Sequence, residues 1–188
     1  NEIRYERYYP VVEGLKRDFP FLSIAIHTAL TDEAGARAME AAGVDTAMMD
    51  VIGAEETIRD VYHLDRPVAD FEATLAALTA TSMRVSPHIV VGLHYGRVLG
   101  EANALDIVAR HPVEALVLVV VMPFYAAPGL FSVPDPAEVG RIFGEARRRL
   151  DGRQVLLGCA RPPGLHKRAV DAYAVMAGLD GIAFPADG

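Results

Sequence analysis

A chain of 188 residues with 52% apolar content can bury one substantial core, and at roughly 100 to 200 residues per domain it reads as a single domain over 1–188. The formal charge of -7 excludes a surface built to neutralise phosphodiester backbones, which takes its affinity from clustered Lys and Arg, so nucleic acid is not an expected partner. The longest apolar run, Ala115 to Phe124, is too short to span a bilayer, and Asn1 to Tyr9 is charged and aromatic, unlike a signal peptide; no membrane contact is expected and the cytoplasm is the expected compartment.

An amphipathic segment, Tyr5 to Arg17, reads as a helix without a strand of its own. Apolar runs bounded by turn residues then predict strands at Phe21–His27, Asp45–Ile52, Arg84–Leu93, Ala115–Pro123, Gln154–Cys159 and Gly181–Phe184. Helical patterns fall between them at Asp32–Ala42, Glu55–Tyr62 with Asp70–Ala80, Leu99–Arg110, Pro136–Leu150 and His166–Ala177, with Thr31, Asp70 and Asp135 as candidate caps. Near-continuous apolar strands such as Ala115 to Met122 suit parallel pairing with both faces covered, and Ala42-Gly43 and Ala177-Gly178 suit helices closed by a left-handed glycine. The expected fold class is α/β, a partial TIM-type (β/α) barrel of six parallel strand-helix units. A full barrel has eight, and the chain begins with Asn instead of Met, so the first two units are expected to be missing, with 1–20 the helix of an upstream unit and 21–188 the six units. An open doubly wound sheet is the alternative, weakened by the absence of a G-x-G-x-x-G fingerprint.

In such a barrel chemistry sits at the carboxyl ends of the strands. Those ends carry His27 and Thr28, Asp50, His94 and Tyr95, Pro123 and Tyr125, Cys159 and Arg161, and Pro185 and Asp187. A metal reading of His27, His88, His94 and Asp50 meets a geometric limit: six residues of extended strand separate His88 from His94 by roughly 20 Å, so at most one of them joins a site. His88, after Pro87 near the strand's entrance, is expected to bond to backbone; His94 stands open to either a site role or a structural one. His63 and His111 read as capping or surface residues. Lys16 and Lys167 are the only lysines, both in helical segments, which argues against Schiff-base chemistry. Gly158-Cys159-Ala160-Arg161-Pro162-Pro163-Gly164 places a permanent cation where a strand gives way to a helix, and two readings remain open there. Arg161 either holds an anion at the helix N-terminus or pairs with Asp187 or Asp50, with Cys159 a small core residue.

Several segments in this order resemble the radical SAM superfamily, in the branch of biotin synthase, its homologues and the archaeal two-protein lipoyl synthases. They are Met49-Asp50-Val51-Ile52-Gly53 with Glu56-Thr57-Ile58, Pro87 to Gly96 with Glu101, Val121-Met122-Pro123, Gly158 to Pro162, and Gly181 to Pro185. The resemblance implies S-adenosylmethionine and a [4Fe-4S] cluster in a full-length parent, a 5'-deoxyadenosyl radical for hydrogen abstraction, and sulfur insertion into a small-molecule or lipoyl-type substrate. It implies adenosine contacts at Gly92, His94, Tyr95, Gly96 and Glu101, a ribose contact at Asp50, adenine contacts at Met122 and Pro123, and His27, Cys159 and Arg161 at the substrate end. The family's C-x-x-x-C-x-x-C loop is absent, since Cys159 is the single cysteine, so the chain alone is expected to be catalytically silent. A phosphate-ligand barrel using Arg161, and a non-catalytic remnant that binds a protein partner through its open edges, are the competing expectations.

Overall fold

The computed structural model describes residues 5–124 and 126–187. Seven strands alternate with helices: β1 Ala25–His27, α2 Glu33–Ala41, β2 Thr46–Met48, α3 Glu55–Asp60, α4 Val68–Thr79, β3 Arg84–Val85, β4 His88–Val91, α5 Glu101–Ala109, β5 Ala115–Val120, α6 Pro136–Arg149, β6 Gln154–Leu157, α7 Leu165–Met176 and β7 Gly181–Ile182, with α1 Tyr9–Asp18 before them. Every pairing is parallel, in the orders β1-β2-β3 and β4-β5-β6-β7.

The two sheets are one surface. β3 and β4 are the single strand expected at Arg84–Leu93, interrupted at Ser86-Pro87. Ser86 N–H donates to Ala47 and His88 N–H to Met49, so pairing with β2 runs through the break, and Asp50 and His88 form a parallel bridge. Pro87 lacks the N–H that would face β5, although its carbonyl still accepts from Val117 (2.9 Å). The six strand positions therefore follow one another in chain order. A doubly wound sheet reverses its strand order at a switch point, and this one never does. The architecture is a partial parallel (β/α) barrel, an arc in which β1 pairs only with β2 and β7 only with β6 among the described residues.

Helix starts and stops follow local chemistry. Asp32, one residue past the expected Thr31, caps α2 by accepting from Gly35 N–H, and Asp135 caps α6 by accepting from Ala137 N–H. Asp70 falls inside the first turn of α4, which begins at Val68. Gly43 and Gly178 close their helices at φ of 93° and 71°. α1 is tied to the base of β2 by Lys16, whose ammonium donates to Asp45 (2.8 Å) and to the Leu22 carbonyl (2.9 Å). The predicted first strand is shortened, because Phe21 is 87% exposed and outside the ladder.

Along each strand burial alternates. Ile89, Val91, Leu116, Leu118, Val120, Val155 and Leu157 are buried against the helices, with Phe143, Leu105, Leu78 and Met39 from the helical layer. The intervening residues line the concave face and are only half-buried: Met48, Asp50, His88, Val90, Val117, Val119 and Leu156. The continuous apolar strands are thus two faces with different surroundings.

Candidate functional site

The pairing register sorts the concave face into rows. His27, Met48 and Ser86 lie in one; Asp50, His88, Val117, Leu156 and Gly181 lie in the next. Polar side chains occupy the β1–β2–β4 side of these rows and apolar ones the β5–β7 side.

On the polar side four groups meet. His27 Nε2 lies 3.4 Å from Asp50 Oδ1, and the Tyr62 hydroxyl, from the turn after α3, donates to Asp50 Oδ2 (2.9 Å). The His27 and His88 rings stand 5.2 Å apart between centres, tilted by 59°. His88 Nδ1 is shut off from solvent and has no hydrogen-bond partner. The charges follow from these contacts. Hydrogen bonding to Asp50 raises the His27 imidazole above its ordinary value, against partial burial. Burial pushes the Asp50 carboxyl up, but the hydrogen bonds and charge of His27 and the Tyr62 hydroxyl outweigh it and hold Asp50 below its ordinary range. Burial, then the Asp50 charge, raises the Tyr62 phenol. Burial, reinforced by the neighbouring His27 charge, lowers His88. The result is a His27 whose proton affinity is raised beside a His88 whose proton affinity is lowered, two imidazoles driven apart as acid and base partners are in catalytic pairs.

Sequence reasoning gave His88 to backbone at a strand entrance; it does start β4 and takes a backbone hydrogen bond at Ser86, and its ring also faces His27. Strands of a barrel are staggered, so the start of β4 stands level with the end of β2. Tyr62 was missed as a site residue because it belongs to a helical segment, and no spacing rule ties it to Asp50.

The other expected positions are built into the fold. His94 is buried, with Nδ1 3.2 Å from the Thr57 hydroxyl, and its ring meets Tyr95 edge-on. Tyr95, at φ 56°, donates its hydroxyl to the Asp60 carbonyl (2.6 Å) and packs on Phe131. These contacts pin the loop after β4 to α3. Gly92 and Gly96 have φ of 79° and 89°, and a Cβ on either would strike Pro134 or Ser132 of the β5–α6 connection. Gly92 thus admits the Pro134 ring and Gly96 the Ser132 backbone. Glu101, at the start of α5, is buried; its Oε1 accepts from Gly92 N–H (2.8 Å), its Oε2 has no partner, and burial raises its carboxyl. Of the residues expected against the cofactor, Asp50 lines the concave face, while Met122 and Pro123 stand just past the end of β5, Met122 partly exposed.

Arg161 is a correction. Its side chain is fully buried, and its five N–H groups are all used: Nε and Nη2 on the two Asp171 oxygens (2.6 and 3.3 Å), Nη1 on Gly158 and Ala183 carbonyls (2.7 and 3.0 Å), and Nη2 also on Phe184 (3.0 Å). Neither Asp187 nor Asp50 is its partner, and no donor remains for an anion or substrate. Cys159, expected either at the substrate end or in the core, is an exposed free thiol. Tyr125 lies outside the described residues.

A [4Fe-4S] cluster needs three thiolates to hold it with one iron left open, and the chain's only cysteine is Cys159. Its own residues do not fit that group. Among the described residues, no group of three His, Cys, Asp or Glu side chains could hold a metal ion, and no helix is long and apolar enough to cross a membrane.

No family model and no curated protein matches the sequence. Solved structures do match in fold. Methylornithine synthase (PylB) is 13% identical, with a TM-score of 0.69 over 94% of this chain and 51% of its own. The FeFe-hydrogenase maturase HydG from Carboxydothermus hydrogenoformans is 16% identical, TM-score 0.68, over 96% of this chain and 44% of its own. Both are radical SAM enzymes. HMG-CoA lyase from Brucella melitensis is 11% identical, TM-score 0.66, over 94% of this chain and 60% of its own. At these identities the likeness is one of fold, and the chain spans about half the length of the structures it matches.

Proposed function

We propose that this arc is the carboxy-terminal three quarters of a radical SAM barrel of the biotin synthase-like branch, with the cluster-binding part supplied from outside these 188 residues. The barrel part of the reading is supported by six strand positions that run in chain order without reversal, and by an arc that superposes over nearly its whole length on methylornithine synthase. The lyase matches share that fold, so fold alone does not choose between the chemistries. What favours the radical reading is the sequence of segments from Met49-Asp50 through Gly181-Ile182-Ala183-Phe184-Pro185.

In this reading the parent binds S-adenosylmethionine and a [4Fe-4S] cluster and abstracts hydrogen from a small-molecule or lipoyl-type substrate, with sulfur insertion as the proposed outcome, in the cytoplasm. Asp50, Met122 and Pro123 are the residues proposed to meet the cofactor, and His27 and Cys159 the substrate. Arg161 is not among them, which removes the anion site on which a phosphate-ligand barrel would depend. The chain alone, with one thiol, is catalytically silent. The half-buried Val117, Val119 and Leu156 and the open edge of β1 support completion by further strands, whether from the same polypeptide or from a protein partner.

The experiment is to reconstitute a longer parent with iron and sulfide without oxygen and to measure 5'-deoxyadenosine under reduction. Its formation from the parent and not from this chain is the expected result. A parent loaded with cluster that yields none refutes the reading. Light scattering on the chain addresses the alternative: a clean monomer that takes up no partner speaks against a binding remnant.

A further inference from the structure

We infer that His27, oriented by Asp50, is a general base on the concave face, and that it takes a proton from a carbon atom of a small molecule with an apolar body. The inference goes beyond the radical reading. Proton transfer needs no cluster, so the chain that is silent in the radical step should still carry it.

The two nitrogens of an imidazole point apart, and the contact made by one decides which of them holds the proton. His27 Nε2 faces Asp50 Oδ1 at 3.4 Å, so the neutral ring keeps its proton on Nε2 and its lone pair on Nδ1. That spacing is long, as catalytic hydrogen bonds are before a substrate is bound, and it tightens as the ring gains charge. His27 ends β1 and its side chain is 44% exposed, which leaves Nδ1 open to a ligand. Asp50 is itself held, since the Tyr62 hydroxyl donates to Oδ2 (2.9 Å) and leaves Oδ1 to His27. A base oriented by a carboxylate that another group fixes is the arrangement proton transfer requires.

The titratable groups facing His27 among the described residues are Asp50 after β2, Tyr62 after α3 and His88 on β4. Asp50 raises the His27 imidazole above its ordinary value and so strengthens it as a base. Burial raises the Tyr62 phenol, which keeps its proton, and lowers His88, which does not compete for one.

The apolar half of the concave face sets the substrate class. From Asp50 and His88 the row continues as Val117, Leu156 and Gly181, with half-buried Val90 and Val119 beside it. These side chains offer no charge and no hydrogen bond, so they hold an apolar body by covering it from water. The polar end of the molecule then lies at His27. A proton on carbon beside a carbonyl leaves slowly unless a base is placed against it. It passes to Nδ1 as the C–H electron pair moves onto the carbonyl oxygen, and Asp50 stabilises the imidazolium that forms. The proton returns to the same or a neighbouring carbon, so the step consumes no oxidant, reductant or co-reactant.

The test uses this chain, without cluster or S-adenosylmethionine, and 5-nitrobenzisoxazole as probe. This flat apolar molecule loses its C–H proton to a base while its N–O bond breaks to give a coloured phenolate. The unaltered chain should convert it about a hundredfold faster than imidazole at equal concentration, within the range that placed bases give. The rate should rise with pH through a midpoint above the ordinary 6.5 of histidine. His27→Ala should remove the excess rate. Asp50→Asn should lower it about tenfold and bring the midpoint down towards or below 6.5, a shift that a merely structural role of Asp50 would not produce. His63→Asn should leave both unchanged. Folding of each variant is checked by circular dichroism. A folded, unaltered chain no faster than imidazole overturns the inference without recourse to any variant. So does an excess rate that survives His27→Ala, a midpoint that stays in place in Asp50→Asn, or a rate lost with His63.

Discussion

Replacing Arg161 with Met tests whether this cation is a structural clamp or a ligand group. The substitution keeps much of the side-chain volume but strands Asp171, which is left with only the Ala186 N–H (2.7 Å) for its charge. It also orphans the carbonyls of Gly158, Ala183 and Phe184. Removing one partner of a buried pair costs about 3 to 5 kcal/mol. With a urea slope of about 2 to 3 kcal/mol per molar, the unfolding midpoint should fall by about 1 to 2.5 M, read by far-ultraviolet circular dichroism. Arg161→Lys retains the charge but loses the planar fork that serves five acceptor contacts at once, and should fall between the two. Arg161→Met combined with Asp171→Leu should regain about 1 to 3 kcal/mol, because no unpaired charge is then buried, while the three carbonyls stay unsatisfied. An Arg161→Met chain within about 1 kcal/mol of the unaltered protein would refute the clamp and return Arg161 to the pool of residues free to meet a ligand.

Three other outcomes follow from the same contacts. Gly96→Ala, at φ 89° and with its Cβ driven into the Ser132 backbone, should cost about 2 kcal/mol or more and loosen the loop after β4, whereas Gly129→Ala, at φ 79° in open space, should cost only about 1 kcal/mol; thermal melts separate them. Burial raises the Glu101 carboxyl above its ordinary 4.5, so the stability it contributes is present below that value and is lost as pH rises through the folded value. Glu101→Gln should therefore flatten the decline in unfolding midpoint above pH 4.5, and an unchanged profile would count against a strained buried carboxyl. His27 is raised by Asp50 and His88 lowered by burial, so NMR titration should find His27 retaining its proton to higher pH than His88. Stability from the raised His27 is complete below its ordinary 6.5 and fades as pH climbs through the folded value. Asp50→Asn should bring the His27 titration down towards or below 6.5, and no movement would mean the two do not interact.

The alternation of strand and helix was legible because each element announces itself locally. Apolar runs ended by Gly43 or Gly178, and an Asp before a helix, need no knowledge of the rest of the chain. The site was legible only where a residue stood at a strand's end, as His27 and Asp50 do. That His88 shares a row with Asp50 was not legible, because stagger between strands is a property of the sheet, and nothing near Pro87 encodes which row the next residue will join. Arg161 had the right neighbours in sequence for an anion site, yet its partner Asp171 lies ten residues on, inside α7, where a carboxylate reads as an ordinary helical surface residue. His94, Tyr95 and the two glycines were placed at the right loop, but the contacts that hold them there were not legible. Their partners Thr57, Asp60 and Ser132 come from distant segments that only the packed structure brings near.

The division of the concave face decides where chemistry can occur in this arc. Val117, Val119 and Leu156 can exclude water from a bound molecule but can neither move a proton nor bind an ion. His27, Asp50, His88 and Tyr62 can move a proton, and they lie towards the open edge of β1, since His27 ends that strand and Asp50 follows β2. Any strand added beside β1 would therefore bring its side chains next to the polar cluster, whereas one added beside β7 would meet Gly181 and Ile182. A partner that completes the barrel at β1 should protect the amides of Ala25 to His27 from hydrogen exchange and shift the His27 titration together. If exchange slows only at β7, the reactive side of the arc lies away from the surface that is completed, and the cluster must act alone.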